Sequence, residues 1–214
     1  MARNMCDRFR SSLYLTLSLL LLICLASCYP EFKNPIPPPA ELKADPQILG
    51  TWVRTSDESG SKEQLCIFQR KSGWIDVVLI DEIDSKESED GINVSVFEGY
   101  STSVNKQKFL CLRVRTKDYG HVDPEEFAEP PFYIVNYEAT SDNKLVIKHF
   151  SLEKVEELIK AGKLKGEITK GQYVDHVTVT SSSDELVEVI SKEGAGAFIG
   201  QDKEDTLIFS RSKT

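Results

Sequence analysis

Gln64-Leu65-Cys66-Ile67-Phe68-Gln69-Arg70 is followed by Lys71-Ser72-Gly73 and then by Trp74-Ile75-Asp76-Val77-Val78-Leu79-Ile80-Asp81-Glu82-Ile83. Both flanks are rich in β-branched and aromatic residues, which lose side-chain freedom in a helix and pack well on a pleated surface. Three residues ending in glycine are enough for a tight hairpin. The pattern therefore predicts two antiparallel strands, 64–70 and 74–83. Working outward, similar runs occupy 48–55, 93–104, 108–116, 132–139, 144–150, 173–180 and 205–211. Asn105-Lys106-Gln107 and Thr140-Ser141-Asp142-Asn143 are again short enough for hairpins. The expected fold is mainly β: an antiparallel meander that closes into a barrel of eight or nine strands, because closure removes unpaired edges. Leu65, Ile67, Val78, Ile80, Leu110, Leu112, Tyr133 and Val135 are expected to point inward.

Two short helices interrupt the strands. Over 151–161, Leu152, Val155, Leu158 and Ile159 have helical spacing, Ser151 is placed to cap the start, Glu156 precedes Lys160 by four, and Gly162 follows the end. Over 183–193, Ser182 and Glu185 have capping-box spacing and Leu186, Val189 and Ile190 share one face. Both apolar stripes are narrow, which places the helices against the outside or the mouth of the β structure.

The N-terminus carries an address. Arg3, Arg8 and Arg10 precede an apolar run from Leu13 to Leu25, too short for the roughly 20 residues of a spanning helix and suited to a secretory signal. The run ends in Leu25-Ala26-Ser27-Cys28, which resembles the lipobox of bacterial lipoproteins. That resemblance implies cleavage before Cys28, a diacylglycerol on its sulfur and an acylated amino terminus, so the membrane is a partner through the lipid on Cys28. Tyr29 stands where inner-membrane retention in enteric-type lipoproteins uses Asp. The implied localisation is the cell envelope, at the outer membrane, facing the periplasm or the exterior. Residues 29–47 hold six of the nine prolines, and a segment of that composition is expected to be an extended spacer, neither helix nor inner strand, reaching up to about 60 Å. The domain plan is thus a signal over 1–27, a lipidated cysteine and tether over 28–47, and the folded body over 48–214.

Gly50-Thr51-Trp52, at the start of the first predicted strand, resembles the Gly-x-Trp motif that opens lipocalins and related calycin barrels. The resemblance implies a calycin-like barrel in which Trp52 plugs the closed end and an Arg of the last strand lies across its ring. Arg211, two residues beyond Phe209 on the same face, is the candidate, and such a stack contributes about 0.5–2 kcal/mol. Gly50, Trp52 and Arg211 are therefore the expected closure residues.

Chemistry is sparse. The net charge is −8, from 26 basic and 34 acidic residues, and an acidic chain does not attract phosphate backbones, so nucleic acid is not an expected partner. His121, His149 and His176 are far apart in sequence, and no hydrolase or nucleotide signature occurs. Neither an enzyme nor a cofactor is expected. Asp118, Tyr119, His121, Asp123 and Glu125 cluster in a connection long enough to be a lid; their spacing fits no metal site, so metal is not expected either. Cys66 and Cys111 form either a disulfide, admissible outside the cytoplasm, or two buried inert thiols, the second reading being preferred because both sit in apolar runs. The expected function is non-catalytic: the barrel holds a small hydrophobic or amphipathic ligand. The alternative is a filled barrel that serves as an envelope interaction or inhibitor module, docking a protein.

Overall fold

A computed structural model describes residues 29–55, 62–82, 92–115, 130–171, 175–200 and 205–213. Its strands are β1 (Glu31–Phe32), β2 (Gly50–Thr55), β3 (Lys62–Gln69), β4 (Ile75–Glu82), β5 (Ile92–Val104), β6 (Gln107–Val114), β7 (Phe132–Ala139), β8 (Lys144–His149), β9 (Gly166–Thr169), β10 (His176–Val179) and β11 (Thr206–Arg211). The helices are α1 (Leu152–Lys160) and α2 (Ser183–Glu193). From β2 to β8 each strand pairs antiparallel with the next, β11 follows β8, and β11 returns to β2 through Ser210 opposite Val53 and Arg211 opposite Trp52. Eight strands thus close an antiparallel barrel. The ninth strand expected from sequence, 173–180, is β10 and lies outside the ring, paired with β9 and β1.

Local sequence explains the hairpins. Asn105 and Lys106 both take positive φ, 49° and 68°, the backbone of a two-residue turn whose twist matches that of the flanking strands. Gly73, at φ 88°, ends the β3–β4 turn. A Cβ there would lie 1.9 Å from the Leu42 carbonyl oxygen, so the position needs glycine both for its conformation and for the chain that crosses it. Ser182 and Glu185 make the reciprocal capping box of α2. Ser151 occupies the N-cap of α1, but its side chain makes no capping bond; its backbone N–H instead donates to the Phe198 carbonyl.

The wall of the barrel separates two cores. Inside lie Trp52, Leu65, Ile67, Ile75, Val77, Leu110, Val135, Leu145 and Phe209. Outside, Tyr100, Phe109, Cys111 and Ile134, on the outer face of β5–β7, are buried beneath Val155 and Leu158 of α1, Leu186 and Ile190 of α2, and Val177 and Val179 of β10. The helices therefore cover one outer wall. Val78 and Ile80 depart from expectation: Cys66 pairs with Val78 and Leu65 with Leu79, so the inward residues of β4 are Ile75, Val77 and Leu79. Apart from Asp76, Ile75–Ile80 is apolar on both faces, so alternation could not fix the phase, and a one-residue slip exchanges the faces.

The proline-rich segment is not a free spacer. Phe32, Ile36, Ala44 and Ile48 are buried, and β1 sits between β7 and β10 as an inner strand. The Ile36 and Pro37 carbonyls accept hydrogen bonds from the Tyr100 and Thr102 hydroxyls at 2.6 and 2.9 Å. Each fully buried large apolar side chain contributes about 1.5–3 kcal/mol. Proline has already lost the φ freedom that ordering would otherwise remove. A chain with apolar anchors between prolines is thus cheap to lay down as a strap over the body.

Cys66 and Cys111 are free buried thiols, not a disulfide. Both point outward, but β4 and β5 lie between their strands. Three strand spacings of about 4.8 Å far exceed the Cα separation that a disulfide spans. Burial pushes the Cys111 thiol up to about 12, which keeps it protonated and inert.

Candidate functional site

The two ends of the barrel are built from different residues. At one end, where β2 begins and β11 finishes, the Arg211 guanidinium lies 4.2 Å from the centroid of the Trp52 ring. It also donates to the carbonyls of Leu49 at 2.9 Å and Gln47 at 2.7 Å. The Trp52 indole N–H donates to the Ile48 carbonyl at 2.7 Å. Gly50, at φ 117°, leaves room for Arg211, whose Nη1 would be 3.1 Å from a Cβ. No buried side-chain N or O atom of this closure lacks a hydrogen-bond partner. Beside it, Asp45 accepts from Lys108 at 2.7 Å and from the Tyr137 hydroxyl at 3.3 Å. Burial raises the Asp45 carboxyl, but these bonds and the Gln47 amide outweigh burial and hold it below the usual carboxylate range.

The opposite end is the mouth. Strand alternation carries the inward series one step further toward it on four strands: Trp52 to Arg54, Leu65 back to Glu63, Leu79 to Asp81, and Ile147 to His149. Each apolar series ends in a polar residue. Arg54 grips Glu63 through two hydrogen bonds, Nε donating at 2.9 Å and Nη2 to the other carboxylate oxygen. Asp81 faces this pair across the β3–β4 register. Burial first, and then the charge of Glu63, raise its carboxyl above the usual value against the opposing pull of Arg54.

His149 is the exceptional group. Tyr29 stacks on its ring at 4.4 Å between centroids, and its Nε2 is buried without a hydrogen-bond partner. Burial, and to a lesser degree Arg54, push its pKa down to about 4, so the imidazole is neutral at neutral pH. An orphaned buried nitrogen costs about 1–3 kcal/mol unless something occupies it. Glu31 of the strap accepts from the Tyr133 hydroxyl at 3.4 Å on the same side of the barrel. Below this polar ring Leu79, Phe97, Leu112 and Leu207 are half-buried against the inner core.

Of the residues expected to carry function, Gly50, Trp52 and Arg211 come together in the closure. Cys28 and the lid residues Asp118, Tyr119, His121, Asp123 and Glu125 lie outside the described residues; the strands flanking that loop end and begin at the mouth. Sequence reasoning missed Arg54, Glu63, Asp81 and His149. Their signal was a charged or polar residue continuing an i, i+2 apolar series. Among the described residues no group of three or more His, Cys, Asp or Glu side chains is placed to hold a metal ion. A separate cleft of about 640 Å³ lies outside the barrel between the strap and α2, lined by Pro37, Glu41, Lys43, Asn105, Lys108 and Ser191. Compared with known proteins, the chain matches no family model, no curated protein and no solved structure, so the geometry of the mouth carries the functional argument alone.

Proposed function

We propose that the protein is a non-catalytic, lipid-anchored envelope protein whose barrel mouth holds one small hydrophobic or amphipathic molecule. The observation that carries this reading is the buried, unpartnered Nε2 of His149 on the inner side of the barrel. Half-buried Leu79, Phe97, Leu112 and Leu207 offer an apolar wall next to it, and sites of this kind combine such walls with a few placed polar groups. Anchoring rests on the lipobox reading of Leu25-Ala26-Ser27-Cys28. Tyr29, which stacks on His149, directly follows Cys28 in the sequence. The acyl chains would then hold the mouth close to the bilayer rather than a spacer's length away.

The test is mass spectrometry of the protein purified from membranes. The expected result is a mature amino terminus at Cys28 bearing acyl chains, together with a stoichiometric small molecule released on denaturation and reduced in a His149→Phe variant. An unmodified amino terminus overturns the anchor, and a ligand-free protein that binds no apolar dye overturns the binding reading.

A further inference from the structure

We infer that the outer wall formed by β8, β11, β2, β3, β4 and β5 lies on the surface of an anionic phospholipid bilayer, an inference that rests on the lipid-anchor reading above and names the face the anchor brings down. The first ground is the contrast between the two outer walls. The outer face of β5–β7 is buried beneath α1, α2, β10 and the strap. On the other wall the register sets Val146 beside Ile208, Val78 beside Val96 and Ile80 beside Val94, all pointing away from the inner core. The large apolar side chains that are exposed among the described residues are Val53, Phe68, Ile92, Val94 and Ile208, at 40–57%. All five stand on this wall. Six strands about 4.8 Å apart make a face roughly 24 Å across. Single apolar residues at a surface are ordinary, whereas a contiguous apolar face with a polar border marks an interface with a protein or a membrane.

The second ground is the charge of that border. Lys62 stands on β3, and Lys144 and Lys148 stand on β8, all on the outer face. Arg70 binds Asp76 and Glu98, Arg113 binds Glu98 at 2.8 Å, and Arg115 lies 3.6 Å from Asp76. Glu138 is paired with Val146, and Asp142 lies 3.0 Å from Lys144. The described side chains of this wall are therefore six cations to four carboxylates. Residues 28–214 as a whole hold 23 basic and 33 acidic residues, so the wall has the opposite sign to the body. An acidic body is repelled by anionic headgroups everywhere except through such a face. Lysine and arginine can keep their charged ends at the phosphates while the apolar side chains reach the acyl boundary. A second copy packed through the same wall would set two faces of like sign together, which opposes that pairing.

The third ground is where the anchored end of the chain meets the body. Tyr29 stacks on His149, the residue after Lys148 in β8. The described chain thus begins at the border of this wall, and the cysteine expected to carry lipid directly precedes it. A body tethered there meets its bilayer at the high effective concentration of an intramolecular contact, so a face too small to hold a free protein suffices. Acyl chains and a basic, apolar face together make the two signals that stable attachment requires.

The experiment uses the full mature chain purified from membranes, with a fluorophore on Ile208→Cys, on Val94→Cys or, on the covered side, on Ser191→Cys of α2. Wild type labelled in parallel sets the background from Cys66 and Cys111. Each protein is placed in vesicles of phosphatidylcholine alone or with phosphatidylglycerol, and quenching by a nitroxide on the lipid chains is compared with quenching by iodide in water. With phosphatidylglycerol at low salt, lipid nitroxide is expected to quench the Ile208 and Val94 positions at least about three-fold more than the Ser191 position, a difference that salt reduces by screening. Lys62→Glu combined with Lys148→Glu should reduce it as well, with the protein still on the vesicles. Equal iodide quenching at all three positions, in chains that stay on the vesicles, overturns the face and leaves the anchor standing. Chains that stay on vesicles of neither composition overturn the anchor and this inference together. Shielding of Ile208 and Val94 from iodide without quenching by lipid nitroxide, with chain-to-chain crosslinks through those positions, overturns the bilayer reading and assigns the wall to a second copy.

Discussion

The closed end and the mouth of this barrel use similar residue types to opposite purposes. At the closed end an arginine over an indole leaves no buried side-chain polar atom unpaired: Arg211 donates to two carbonyls and Trp52 to a third. At the mouth an arginine and a histidine sit among carboxylates that exceed them in charge, and one buried nitrogen has nothing to bond to. The first arrangement is what folding alone selects, since a satisfied polar group over a buried aromatic is stabilising. The second costs stability, and a cost of that sort points to use.

The contrast breaks most visibly at Trp52. Trp52→Ala removes a fully buried ring from the seal and is expected to cost about 3–5 kcal/mol in denaturant titration. Arg211→Ala should cost about 1 kcal/mol, within the range of a guanidinium–indole contact. Because the two groups touch, the double variant should lose less than the sum. Strictly additive losses would mean that the closed end is not the single unit described above.

Much of this architecture was legible from residue order, and what was hidden has a physical reason. The strand runs, both helices and the Trp52–Arg211 pair each depend on local pattern or on a motif that a short segment carries. The phase of β4 was hidden because Val77, Val78, Leu79 and Ile80 are apolar on both faces. The docked strap was hidden because proline content argues about the backbone, whereas Phe32 and Ile36 are held by tertiary packing against β5–β7 and β10. The mouth was hidden for a similar reason: Arg54, Glu63, Asp81 and His149 are ordinary polar residues until closure of the barrel brings their strands to one rim.

His149 sharpens the comparison through pH. Its folded pKa, about 4, lies below its ordinary value of 6.5, so as pH falls the unfolded chain takes the proton first. Stability is therefore full above pH 6.5 and declines toward pH 4, by about 2 kcal/mol between pH 6.5 and 5 at 1.36 kcal/mol per unit. Asp45, Asp76 and Glu98, whose pKa values are lowered, lose their contributions only below the usual carboxylate range. His149→Phe should flatten the slope between pH 6.5 and 5 relative to wild type in parallel urea titrations. An unchanged slope would show that the imidazole is solvated and that the mouth is not the strained end.

The smallest effect is the most telling one. Asp81 is raised by burial and by Glu63, so the folded protein protonates it before the unfolded chain does. Its charge is a penalty that is fully present at pH 7 and relieved as pH falls through the folded pKa toward the ordinary carboxylate value. Asp81→Asn should accordingly stabilise the protein at pH 7 by less than about 1 kcal/mol, the scale of substitutions that remove no packing. That gain should shrink as pH falls toward the ordinary carboxylate value and Asp81 takes up its proton. Most substitutions destabilise, so a gain here marks a carboxylate that the fold does not need. A loss of stability at pH 7 would place Asp81 with the closed end instead, as one more partner in a satisfied network.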